Sequence, residues 1–333
     1  MNPEQLTRDF VNIESITGNE AKFAEKVEAV LQAAGWKISR QEAAENRWNI
    51  YGIPENGIEP RIVFCSHLDT VAPYIELEEN DEYIFGRGSC DAKGVIAAMI
   101  SAANQLVEEG ISEIGCLFTV GEEVDSVGAK YANALAPDSV EYTIIGEPTE
   151  NRLVSGQKGI YLIEIHTEGK SAHSAYPALG KSAVAKLLTI LENIRNARLP
   201  SDPDLGETTV NISKLSGGDR YNVIPDHTSA GLLFRVSTSL DDVKSLVKDA
   251  VGERGTIKLI NECEPLKMKK VEGYENEVVA FSTDAPYMTN WGNRLVLGPG
   301  SIHDAHTLNE KISKVQLADG VGNYVNLVKK LLE

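Results

Sequence analysis

Residues 61–70 read RIVFCSHLDT. Arg61 to Ser66 is a short, almost wholly apolar run with the texture of a strand buried on both faces, and it gives way at once to His67 and Asp69. Two runs of the same kind follow, IGCLFTV at 114–120 and YTIIG at 142–146, with helical stretches over about 92–109 and 127–135 between them. Alternation of apolar strands with helices predicts an α/β sheet carrying helices on both faces. In such a sheet ligands gather at the carboxyl ends of the strands. The polar residues that follow each strand are therefore the first candidates for chemistry.

Upstream, TGNE at 17–20 has the form of a capping box, with Thr17 capping a helix and Glu20 reaching back. Phe23, Val27, Val30, Leu31 and Ala34 then recur at helical spacing, and Gly35 is placed to end the helix. The texture changes near Gly156. KGIYLIEIHTEG at 158–169 sets Tyr161, Ile163 and Ile165 against Leu162, Glu164 and His166, the period of a strand with one wetter face. A helix at about 180–197, strands near 207–215 and 227–236, a helix at about 240–252 and a strand near 255–262 complete a β-α-β-β-α-β order. Beyond about 265 helix and strand signals resume, ending in an amphipathic helix from Val315 to Leu332. The predicted architecture is a discontinuous, mixed-sheet α/β domain of residues 1–157 and 264–333, interrupted by a ferredoxin-like α+β domain of residues 158–263.

A chain of 333 residues exceeds the size at which one core keeps growing, in keeping with two domains. Its net charge of −17 argues against nucleic acid or an anionic membrane surface as a partner. The longest apolar run, Val95 to Ala103, is too short to span a bilayer, and MNPEQLTRDF at the start lacks the apolar core of a secretory leader. Cys65, Cys90, Cys116 and Cys263 form no CxxC pair and no disulfide-like spacing, which suits a reducing compartment. A cytoplasmic protein is expected.

GRGSCDAKG at 86–94 resembles the opening of a phosphate loop, but Asp91 stands where a dinucleotide fingerprint has its third glycine. Taking the strand ends in order brings His67 and Asp69, then Asp91 after the glycine loop, Glu122 and Glu123, and Glu147; near the C-terminus RLVLGPGSIHDAH adds His303 and His306. Each alone has a bland reading as a surface turn, a solvated charge pair or an N-cap. Together, carboxylates and imidazoles delivered by successive strand ends are what a di-metal hydrolytic site requires. Rival chemistries lack their residues: there is no G-x-S-x-G elbow, no Walker A sequence and no cysteine in a nucleophile setting. A structural zinc site, usually built from four nitrogen and sulfur ligands, does not suit so carboxylate-rich a set.

SHLDTV at 66–71, GRGSCDAKG, GEEVDSVGA at 121–129, GEPT at 146–149, GKSAHSAYPALGKSA at 169–183 and GPGSIHDAH at 298–306 occur in order across the chain. Together they resemble the co-catalytic zinc amidohydrolases that include acetylornithine deacetylase, succinyl-diaminopimelate desuccinylase and carboxypeptidase G, with the wording closest to the acetylornithine deacetylase branch. The resemblance implies a zinc-dependent catalytic domain and, in the insertion, a lid through which the family forms homodimers. It makes Asp91 the carboxylate bridging two zinc ions, with His67 and Glu147 completing one site and Glu123 and His306 the other. Asp69 would hydrogen-bond the second nitrogen of His67 and fix its tautomer, and Glu122 would be the general base. His173 would stabilise the oxyanion from the partner subunit. Arg235, on the otherwise apolar LLFRV strand, would clamp a substrate carboxylate, with Asn222 as a weaker candidate for the same anion. Cobalt or manganese can also occupy mixed nitrogen and oxygen sites.

Between the two C-terminal histidines, His306 matches the family motif, while AHTLNE replaces its more usual His-x-Pro-Asp-Glu ending. The expected substrate is a small N-acyl amino acid, N-acetyl-L-ornithine first, as in arginine biosynthesis. Succinyl-diaminopimelate, other N-acyl amino acids (those of a lysine-pathway deacetylase included) and dipeptides or other carboxypeptidase substrates are alternatives. A non-catalytic metal-dependent binding module would have little reason to retain Glu122 beside intact ligands. Lys93 belongs to the motif without a physical role legible in the sequence.

Overall fold

The structure is a computed structural model describing residues 1–333. The chain divides into two compact units, one of Met1–Ser155, Met268–Glu277 and Thr283–Glu333, the other of Gly156–Lys267 and Val278–Ser282.

The first unit opens with helices α1 (Pro3–Val11) and α2 (Ala21–Ala33) and a hairpin of β1 (Trp36–Ala44) and β2 (Arg47–Pro54). Then come β3 (Ile62–His67), α3 (Lys93–Glu108), β4 (Ile114–Thr119), α4 (Val127–Ala132), β5 (Tyr142–Ile145) and β6 (Leu153–Gln157), which runs on into the second unit. β3 lies between β4 and β5, parallel to both. The β1–β2 hairpin extends this parallel core on the β4 side with antiparallel pairing. Every residue of β3 and of β4 is buried. Because successive side chains point to opposite faces, that pattern means both faces of the sheet are covered.

Helix α3 explains its Ala-rich sequence. It is apolar nearly all round and buried from Lys93 to Asn104, so small side chains let neighbouring elements approach closely. Its two polar interior residues are satisfied within the helix: Ser101 Oγ donates to the Ala97 carbonyl at 2.8 Å and Asn104 Nδ2 to the Ile100 carbonyl at 2.9 Å, while Asn104 Oδ1 also accepts from the Trp36 indole at 2.9 Å. The expected capping box does not form. Helix α2 starts after Glu20 with no side-chain cap. Thr17 instead donates to the Asp69 carboxylate, and buried Glu20 accepts from the Gly18 amide and pairs with Arg47. Two polar residues that read as a local cap, Thr17 and Glu20, reach Asp69 and Arg47 far along the chain.

The second unit holds β7 (Gly159–Glu168), α5 (Ala183–Asn196), β8 (Thr209–Gly217), β9 (His227–Val236), α6 (Leu240–Val251) and β10 (Thr256–Cys263). Its four strands form an antiparallel sheet in the order β8-β9-β7-β10. Tyr161, Ile163 and Ile165 of β7 point into a core with Leu187, Ile190, Phe234, Val243 and Val247. Ser182 and Ser239 cap the two helices, accepting from the Ala185 and Asp242 amides. The first unit closes with β11 (Asn293–Val296), parallel to β5 and antiparallel to β6 at Val296–Val154, and with helix α7 (Lys314–Leu332), which packs on α3. No helix is long and apolar enough to cross a membrane.

Candidate metal centre

Three adjacent parallel strands deliver their carboxyl ends to one edge of the sheet. β3 ends at His67; the turn after β4 carries Glu122 and Glu123; and Gly146 and Glu147 follow β5, the Gly146 amide donating to the Cys65 carbonyl at 2.7 Å. Asp91 arrives from the loop that leads into α3, and His306 from the segment after β11. His67, Asp91 and Glu123 have ligand atoms within 4.8 Å of one another. The two oxygens of Asp91 face different imidazoles: Oδ1 is 2.9 Å from His67 Nε2, and Oδ2 is 3.3 Å from His306 Nε2. His306 Nε2 also lies 3.0 Å from Glu123. A carboxylate so placed can serve two cations at once. His306, not His303, makes these contacts.

Asp69 meets the second nitrogen of His67 through its main chain. His67 Nδ1 donates to the backbone carbonyl of Asp69 at 2.9 Å, while the nearest carboxylate oxygen is 3.6 Å away. The tautomer is therefore set by the main chain, leaving Nε2 toward Asp91. The carboxylate itself is taken up by other donors. Oδ1 accepts from the Gly121 and Glu122 amides at 3.0 Å each, and Oδ2 from the Glu123 amide at 3.2 Å and Thr17 Oγ1 at 2.8 Å. Burial opposes its charge, but His67 first, then Thr17 and the Glu123 amide, outweigh burial and hold Asp69 below the ordinary carboxylate range. Asp69 thus shapes the turn that presents Glu122 and Glu123.

The glycine loop is shaped for close packing. Gly88 adopts φ +83°, and a Cβ there would meet Lys93 Cδ and Thr70 Cγ2 at 2.9 Å. Lys93 acquires a role: buried, it donates to the Ile13 carbonyl and lies over the Phe23 ring at 5.0 Å, tying the N-terminal segment to the start of α3. Cys90 is a packing residue, its thiol donating to the Ser301 carbonyl at 3.3 Å and pushed far from ionisation by burial. Behind the loop lies Glu310, a buried carboxylate that the sequence reading left unassigned although it closes the AHTLNE segment.

The electrostatics are those of a cation site. Burial first, then mutual repulsion, pushes Glu122 and Glu147 well above ordinary carboxylates, and burial raises Glu123. Asp284, also missed in the sequence, joins them: it accepts from Thr119 Oγ1 at 2.9 Å, its other oxygen is buried without a hydrogen-bond partner, and burial raises it to about 6. No lysine or arginine forms an ion pair with any of these groups; only His67 and His306 do so with the cluster. Buried carboxylates without a basic partner are costly unless a cation neutralises them, and imidazole with carboxylate is a donor set for divalent transition metals. The residues fit a metal centre.

His173, Asn222 and Arg235 belong to the second unit. His173 pairs with Val223 across a short β-bridge, and the Ser174 amide donates to the Asn222 carbonyl at 2.9 Å, so His173 and Asn222 share one surface. Arg235 sits on β9 opposite Thr209 and Ile160, partly buried and without a carboxylate partner, and burial lowers its pKa.

Sheet, strand-end carboxylates and paired imidazoles define a hydrolase of the metallopeptidase class. The chain belongs to peptidase family M20/M25/M40, whose family model matches residues 63–330. A peptidase M20 domain-containing protein of Schizosaccharomyces pombe is 34% identical, covering 97% of this chain and 83% of its own length. A probable carboxypeptidase of Talaromyces marneffei is 34% identical, covering 98% and 85%. Among solved structures, a tripeptidase from Staphylococcus aureus superimposes with a TM-score of 0.84 at 23% identity, over 98% of this chain and 97% of its own. A dinuclear metal-binding peptidase of the M20 family from Bacillus subtilis gives 0.71 at 13% identity, over 98% and 96%. At these identities the two structures speak for the fold.

Proposed function

We propose that this protein is a two-zinc peptidase of carboxypeptidase or dipeptidase type, hydrolysing an amide bond beside a free amino-acid carboxylate. The observation that carries the reading is Asp91, whose two oxygens face His67 and His306 within a pocket of carboxylates that no lysine or arginine neutralises. In this reading His67 and Glu147 would hold one ion and Glu123 and His306 the other, with Asp91 shared between them. Bound divalent cations would polarise the scissile carbonyl and offset charge on its oxygen. Glu122 takes the proton of the attacking water and passes it to the leaving amine. The Asp69 carboxylate holds Glu122 in place through the backbone.

The names of the fungal relatives support peptides as the first substrate class. N-acetyl-L-ornithine and other N-acyl amino acids present the same amide and carboxylate and come second, with cobalt or manganese as substitute metals. Arg235 and Asn222 as carboxylate binders, His173 as oxyanion stabiliser and a homodimer through the second unit belong to the same proposal. The test is turnover of a panel of dipeptides, tripeptides and N-acyl amino acids by zinc-loaded protein, alongside Glu122→Ala. That variant should bind two metal equivalents and lose turnover by about 10²–10⁴-fold. Normal turnover in Glu122→Ala removes it as the base, and no turnover of any substrate by wild type favours a binding module instead.

A further inference from the structure

We propose that Glu310 is a positioning residue that aims the bridging carboxylate Asp91 and so determines whether the second metal ion binds; the inference rests on the two-ion reading above. Glu310 is 1% exposed. Its Oε1 accepts three backbone amides of the glycine loop: Gly88 at 2.9 Å, Cys90 at 3.1 Å and Asp91 at 3.0 Å. Its Oε2 accepts from Arg87 Nη1 at 2.6 Å, and its own carbonyl accepts from the Gly86 amide at 3.1 Å. Every residue from 86 to 91 except Ser89 is thus tied to Glu310. The loop closes around this carboxylate as backbone nests close around bound anions.

Two features show that the arrangement aims a ligand. First, the amide of Asp91 itself is one of the three donors, so the bond fixes the backbone from which the bridging side chain springs. Secondly, Glu310 and His306 lie four residues apart on one segment. That segment is anchored beside the loop by the antiparallel pairing of Lys311–Ser313 with Tyr83–Phe85. His306 touches the Asp91 carboxylate from one side while Glu310 holds its main chain from behind. One stretch of chain therefore sets both the bridging ligand and its neighbour. Groups that orient metal ligands without touching the ion carry roughly 10–100-fold of metal affinity.

The test compares Arg87→Met/Glu310→Gln with Arg87→Met/Glu310→Leu. Neither leaves a buried charge unpaired, and only the first keeps an oxygen for the three amides. Wild type and both variants are stripped of metal and titrated with Co²⁺, following calorimetry and the visible cobalt spectrum. Wild type and the Gln variant should take two ions, with second-ion affinity within about tenfold of each other, whereas the Leu variant should bind the second ion roughly 10–100-fold more weakly than the Gln variant, with an altered spectrum. Equal binding by the two variants while wild type takes two ions overturns the inference. So does a Leu variant that fails to fold, which would assign Glu310 to general stability. A wild type that takes fewer than two ions removes the two-ion reading itself, a separate outcome.

Discussion

Replacing Asp69 by Asn tests whether its carboxylate serves the Glu122–Glu123 turn or His67. The side chain keeps its shape but exchanges one oxygen for an amide group. The remaining oxygen can still accept from the Gly121 and Glu122 amides, which now lose the help of a charge. The new NH₂ turns toward the Glu123 amide and Thr17, so one buried backbone N–H has no acceptor. An orphaned buried amide costs about 1–3 kcal/mol, and two bonds reduced from charge-assisted to neutral cost roughly 1 kcal/mol each. The expected loss is about 3–5 kcal/mol, read by denaturant unfolding of metal-free protein, where no ion supports the fold. Turnover should fall about 100-fold, because an ångström of misplacement at Glu122 is enough. In zinc-loaded protein the His67 tautomer with its proton on Nδ1, followed by ¹⁵N chemical shifts, should not change, since the Asp69 backbone carbonyl accepts that proton. A variant of wild-type stability whose His67 tautomer has switched would refute the reasoning and return the carboxylate to His67.

Gly88→Ala forces a side chain into the left-handed region at φ +83° and places its Cβ 2.9 Å from Lys93 and Thr70. Strain of about 1–2 kcal/mol plus overpacking of about 1–3 kcal/mol should lower the denaturant midpoint markedly, and a midpoint equal to wild type counts against this account of the loop. Asp284 predicts a pH dependence of the metal-free protein. Its folded pKa of about 6 exceeds its ordinary 3.8, so its contribution is complete below 3.8 and is lost as pH rises through about 6. Asp284→Asn should flatten that decline in melting temperature, and an unchanged slope would exclude the residue as its source.

Much of the first unit is legible from local sequence pattern. RIVFCS and IGCLFTV are apolar because β3 and β4 are covered on both faces, and a parallel sheet then brings the residues after its strands to one edge. His67, Glu123 and Glu147 are readable for that reason, and Asp91 and His306 through the motifs that contain them. The β1–β2 hairpin was not foreseen, since its mixed burial imitates neither a buried strand nor a clean alternation. TGNE imitates a capping box because a local cap and a long-range hydrogen-bonding group use the same residue types.

Sequence by itself determined which residue types reach the strand ends, and with them the class of chemistry. Tertiary structure alone decided how they are held. It assigned the tautomer of His67 to a backbone carbonyl two residues away, the Asp69 carboxylate to Thr17 and the Glu122 turn, and the glycine loop to Glu310, 219 positions beyond Asp91. Strand-end placement follows from local pattern and connectivity. Hydrogen bonds between groups so far apart in the chain depend on register and loop closure, which no local pattern records.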